Sequence, residues 1–154
     1  MRLSVASITF LVAMGSIMFP PTARAINTSV ELDAAGLADL ENRAEHAQPN
    51  EQAFLFTQLV NEYVDVAGKQ VAAGEMDGAT ASLQHIQSYA DRIHAGLGKS
   101  AKRIKNAEML MHMATYKLTQ LMHTISTDDS TVVQATLKRL DKLHDELLQQ
   151  VFSH

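Results

Sequence analysis

The sequence predicts an all-α protein: an antiparallel bundle of four long helices in two hairpins, preceded by one short helix. Three observations lead there. No proline follows Pro49, and a proline inside a helix costs roughly 3 kcal/mol. Apolar residues recur at three- and four-residue spacing from Ala53 to Val151, and no segment shows the strict alternation of a strand. Turn and capping residues, Gly74, Gly96, Gly98 and the STDDS run at 126–130, separate the periodic stretches.

Residues 1–25 read as a secretory signal peptide. Arg2 gives the positive start, residues 3–19 are apolar or small and uncharged, Pro20 and Pro21 break any helix, and Ala23-Arg24-Ala25 fits the small-x-small cleavage rule. Cleavage after Ala25 leaves residues 26–154 as a single helical-bundle domain, exported to a periplasmic or extracellular space. The run's seventeen residues approach the spanning minimum of about 17 to 25, but Ser4, Ser7, Thr9 and Ser16 weaken it as an anchor. No integral membrane span is expected after cleavage. The chain has no cysteine, so the exported form depends on its core instead of disulfides. Without Arg2 and Arg24 it carries 11 Lys plus Arg against 17 Asp plus Glu, a formal charge of −6. That acidity disfavours nucleic acid, where phosphate contacts supply most of the affinity. Lys99, Lys102, Arg103 and Lys105 form a local basic run whose ordinary reading is a solvated face.

Thr28 and Glu31 have the spacing of a capping box, so the short first helix is expected to start there, with Val30, Leu37, Leu40, Ala44 and Ala47 on its apolar side. Pro49 ends it, and Asn50 is expected to cap the second helix at about 50–73. There Ala53, Phe56, Leu59, Val60, Tyr63, Ala67 and Val71 share one face, and Gly74 supplies the left-handed stop. Asp77 is the expected cap of the third helix, whose face is Ala79, Leu83, Ile86, Ala90 and Ile93. The fourth helix is expected from about Ser100 to Ile125. The last, 130–152, presents Val132, Val133, Leu137, Leu140, Leu143, Leu147, Leu148 and Val151. Long helices joined by a few residues pack antiparallel.

The segment 59–93 resembles a tetratricopeptide-type hairpin, with Ala67, Gly74, Ala79 and Leu83 where that repeat places small, turn and packing residues. The pattern does not recur at the repeat's period of about 34 residues. The same hairpin is similar to the second half of the cytochrome b562 type of exported four-helix bundle, and Ala38-Asp39-Leu40-Glu41-Asn42 is similar to that family's mature start. That resemblance implies a haem held by a Met shortly after this start and a His near the end. His94 matches the latter; the Met position falls on Arg43 or Ala44, neither of which ligates iron.

No Gly-x-Ser-x-Gly, Ser-x-x-Lys, His-Glu-x-x-His or phosphate-binding glycine loop occurs, so no enzyme is predicted. Glu41 with Glu45, and Asp141 with Asp145, are carboxylates one turn apart, ordinary for solvated helix faces. The unusual stretch is 104–125. Ile104, Ala107, Leu110, Met111, Ala114, Leu118, Leu121 and Ile125 form one stripe. Met109, His112, Met113, Tyr116 and His123 fall opposite. A helix with two non-polar faces is either packed on both, as the centre of a bundle, or presents the second to something else. The first functional reading is a non-catalytic binding or interaction module whose contact strip, for a protein partner or a second copy, is Met109, His112, Met113, Tyr116 and His123. The alternative is an extracytoplasmic carrier of copper or a haem-type ligand. No cofactor is predicted, but Met109, His112 and Met113 would be the copper ligands, since thioether and imidazole suit Cu(I). His144, on the apolar stripe of the last helix, is expected to be a hydrogen-bonded core histidine.

Overall fold

The computed structural model describes residues 33–98, 102–127 and 129–153. The expected signal at 1–25, the Thr28/Glu31 capping box and Ser100 itself lie outside the described residues, but the fourth helix, expected from about Ser100 to Ile125, begins only at Ile104, after left-handed Arg103, and ends at Met122. The described chain is all-helical: α1 Ala34–His46, α2 Pro49–Ala72, α3 Met76–Gly96, α4 Ile104–Met122 and α5 Ser130–Phe152. Among the described residues no helix is long and apolar enough to cross a membrane.

Several helix ends follow from local chemistry, and some differ from the expected caps. α1 starts after Asp33, whose carboxylate accepts from the Gly36 N–H at 2.8 Å, a cap that stabilises by about 1 kcal/mol. In α2 the first position belongs to Pro49, whose missing N–H removes no helical bond. Asn50, expected as the cap, lies inside the first turn, and its backbone oxygen accepts from the Lys102 N–H at 2.7 Å. That bond ties the start of α2 to the chain entering α4. The end of α2 is as expected: Gly74 sits at φ +77°, the Gly74 N–H reaches Val71 O and the Glu75 N–H reaches Gln70 O. This is the paired closure that a left-handed residue permits. Asp77 likewise lies within the first turn of α3, Glu75 holding the cap position. There its carboxylate complements the helix dipole.

By close backbone approach α2 has the most neighbours. It packs against α1, α3 and α4, while α4 packs against α2 and α5, and α5 also against α3. Accordingly α2 buries Ala53, Phe54, Phe56, Leu59, Val60, Val64 and Ala67, more than one stripe, and with them Thr57 and Asn61. The centre that the sequence pattern suggested for α4 belongs to α2. Two threonines disguise the buried faces: Thr57 Oγ1 donates to Ala53 O at 2.8 Å, and Thr136 Oγ1 donates to Val132 O at 2.8 Å. A hydroxyl that bonds its own helix enters the core without an unpaired polar group. In α5 the buried residues are Val133, Thr136, Leu140, Leu143 and Leu147; Leu148 and Val151 are half-buried.

Cross-helix pairs set the direction of each contact. Tyr63 stacks on His85 and Phe56 on Tyr89, and Gln70 meets Ser82, so α3 numbers fall as α2 numbers rise. Between α2 and α4 the order is kept, with Glu51 facing Lys102 and Asp65 facing Lys117. The same holds between α3 and α5, where Gln87 meets Thr136 and Asp91 meets Arg139.

Candidate functional site

α4 divides sharply. Ala107, Met111, Ala114, Leu118 and Leu121 are buried, whereas Met109, Met113 and Tyr116 are 55%, 43% and 62% exposed. His112 is exposed between them. Residues three, four and seven apart lie on one helical face, so these four side chains form one outward strip. His123 is also exposed but serves as the C-cap, its N–H reaching Gln120 O while the Thr124 N–H reaches Leu121 O. Eleven residues from His112 is about 16 Å along the axis, which places His123 at the far end of the strip and outside the Met/His/Tyr cluster.

Polar pairs fix both edges. On the α2 side, Lys117 Nζ donates to Asp65 Oδ2 at 2.7 Å and to Asn61 Oδ1 at 3.2 Å. On the α5 side, half-buried His144 bonds through Nε2 to Glu108 Oε1 at 2.9 Å. The His144 ring also lies 5.4 Å from that of His112. At the N-terminal end, Lys102 pairs with Glu51, and the Arg103 guanidinium lies 3.8 Å from the centre of the Phe54 ring. Arg103 is left-handed, at φ 59°, a conformation costing an ordinary residue roughly 1–2 kcal/mol. Lys105 is exposed beside it. The strip therefore begins in positive charge on an otherwise acidic chain.

A second cluster lies where α1 meets the α2/α3 pair, and no spacing in the sequence announced it. The Tyr89 ring stacks on or tilts against those of Phe56, Tyr63 and His85, and Tyr63 stacks on His85, at 5.0 to 6.1 Å. The buried Tyr89 hydroxyl donates to Glu41 Oε1 at 2.7 Å. Burial first, then that carboxylate and Tyr63, push the Tyr89 hydroxyl well above the ordinary phenol range. Arg92 lies over the Phe56 ring and bonds Glu45, which holds the guanidinium protonated. The Glu41/Glu45 pair thus fastens α1 to α3. Asp141 and Asp145 remain exposed on α5.

The residues weighed for cofactors are placed as follows. Met109, His112 and Met113 share one exposed turn of α4. His94 is exposed on α3 and bonds Glu146 at 2.6 Å, while Arg43 is exposed and Ala44 buried on α1. Among the described residues no group of three or more His, Asp or Glu is arranged to hold a metal ion. The chain matches no protein-family model, no curated protein and no solved structure.

Proposed function

We propose that the chain is exported after losing residues 1–25 and works as a small non-catalytic protein-interaction module. Its architecture on this reading is a bundle of two antiparallel hairpins, α2/α3 and α4/α5, with α1 laid against α2. The ring of contacts supports it: α2 on α3, α3 on α5, α5 on α4 and α4 on α2. The observation that carries the function is the outward strip of α4, where three large apolar side chains are exposed on one face of a well-buried helix. Scattered single apolar residues are ordinary, but contiguous ones mark contact surfaces. Methionine and tyrosine suit such surfaces, the first by adapting its shape and the second by combining an apolar ring with a polar tip. The strip opens beside Lys102, Arg103 and Lys105, so the partner it fits is a protein with an acidic, partly apolar face.

The test places a photo-crosslinking residue at Tyr116 and, as control, at exposed Gln84 on α3, in the host that makes the protein. A discrete adduct is expected from position 116 alone, diminished when Met109 and Met113 are both changed to Gln. Adducts independent of position, or none from position 116, would end this reading. A self-adduct would identify the partner as a second copy, and its acidic surface supplies the complementary charge.

A further inference from the structure

The α5 edge of the strip holds an arrangement that protein docking does not require. His112 on α4 and His144 on α5 bring their imidazole rings to 5.4 Å between centres, at 42° between planes. A metal ion bound at about 2.0 Å by each ring nitrogen sits about 3.2 Å from each ring centre, so on a tetragonal ion the two centres lie between about 4.5 Å for a cis pair and about 6.4 Å for a trans pair. The observed 5.4 Å falls inside that range.

The carboxylate behind His144 completes the pattern. Glu108 Oε1 lies 2.9 Å from His144 Nε2, and an ionised carboxylate accepts only, so it selects the tautomer with the proton on Nε2. The lone pair is then on Nδ1. A ligating histidine that gives its other N–H to a carboxylate has its ring orientation fixed and its basicity raised. His144 is largely shielded while His112 is exposed, so one ligand is pre-set and the other closes on the ion from the solvent side.

We propose that His112 and His144 form a two-imidazole site for a copper(II) ion across the α4/α5 seam, with Glu108 positioning His144. Copper is the ion because two nitrogen donors, with the remaining positions left to water, bind it most tightly of the first-row divalent metals. The site differs from a single-turn Met109/His112/Met113 set in drawing its second ligand from another helix. It holds whether or not a protein docks on the strip.

The experiment titrates copper(II) chloride into the full chain after chelator treatment, reading affinity by competition, melting temperature, and the nitrogen couplings in the electron paramagnetic resonance spectrum. One ion per chain, a raised melting temperature and a two-nitrogen spectrum are expected. His112→Ala, at an exposed position, is expected to leave the metal-free melt unchanged, weaken copper at least tenfold and remove one nitrogen coupling. Glu108→Gln is expected to weaken binding by about 10- to 100-fold while keeping both nitrogens, and His123→Ala to change nothing. Equal copper affinity in wild type and His112→Ala, a one-nitrogen spectrum in the wild type, or tighter zinc than copper binding would overturn the site. Unchanged affinity in Glu108→Gln would overturn the positioning role.

Discussion

α2 and α4 each carry apolar side chains on more than one face, and the structure uses those faces in opposite ways. The additional faces of α2 are covered, by α1 and α4 as well as α3. α4 keeps its second face, Met109, His112, Met113 and Tyr116, outside. The residue types separate the two cases better than the periodicity does. α2 carries Phe54, Phe56 and Val64 together with a threonine that satisfies itself, whereas the outward face of α4 carries unbranched thioethers, an imidazole and a phenol. Stiff and fully apolar side chains suit close packing, and flexible or polar-tipped ones suit a surface.

The sharpest way to break this comparison is to truncate one core residue from each helix. Phe56 and Leu118 are both fully buried. Phe56→Ala is expected to cost about 3–5 kcal/mol and Leu118→Ala about 2–5 kcal/mol, the sum of lost transfer energy and an unfilled cavity. Denaturant unfolding measures both. If Leu118→Ala left the midpoint where it was, the inward stripe of α4 would be misassigned.

A second comparison concerns what the covered side of α2 leads to. The Phe56 ring stacks on Tyr89, whose hydroxyl is held protonated by burial and by Glu41. Its folded proton affinity exceeds the unfolded one, so the folded state retains a proton that the unfolded state releases. The stability this contributes is fully present below about pH 10, the ordinary phenol value, and is lost as pH rises above it. The slope is at most about 1.4 kcal/mol per pH unit. Melts of wild type and Tyr89→Phe between pH 8 and 11, with the phenylalanine variant losing less stability over the alkaline half, check the sign. Parallel curves would show that Tyr89 ionises as freely in the fold as outside it.

Helical periodicity made a buried stripe of each helix legible, down to Leu118 and Leu140, along with the 130–152 span and the Gly74 closure, but it passed over Phe54, Val64 and Tyr89, all buried. It failed where the answer depends on a second helix. His112 and His144 are neighbours only through the register of α4 against α5, and Glu41 reaches Tyr89 only through the way α1 lies. Caps were misread for a local reason: Pro49 takes the first position of α2, so Asn50 falls inside the helix instead of before it. Thr57 and Thr136 hid buried faces because a residue-type pattern counts their hydroxyls as polar, whereas each hydroxyl bonds its own backbone.

The smallest expected effect bears most directly on the outward face of α4. Met109→Gln with Met113→Gln keeps side-chain length and helix propensity while replacing two thioethers by amides. Both positions are well exposed, so the amides remain hydrated and the double variant is expected to change stability by less than about 1 kcal/mol, as surface substitutions near ±0.5 each imply. Buried, the same two amides would each lack a partner and cost about 1–3 kcal/mol apiece, enough to lower the melting midpoint visibly. Comparing the double variant with Leu118→Ala in one set of melts therefore reads the two faces of a single helix against each other. A loss in the double variant approaching that of Leu118→Ala would mean that the strip is covered in solution, by a second copy or by the chain itself, and a concentration series distinguishes those two coverings.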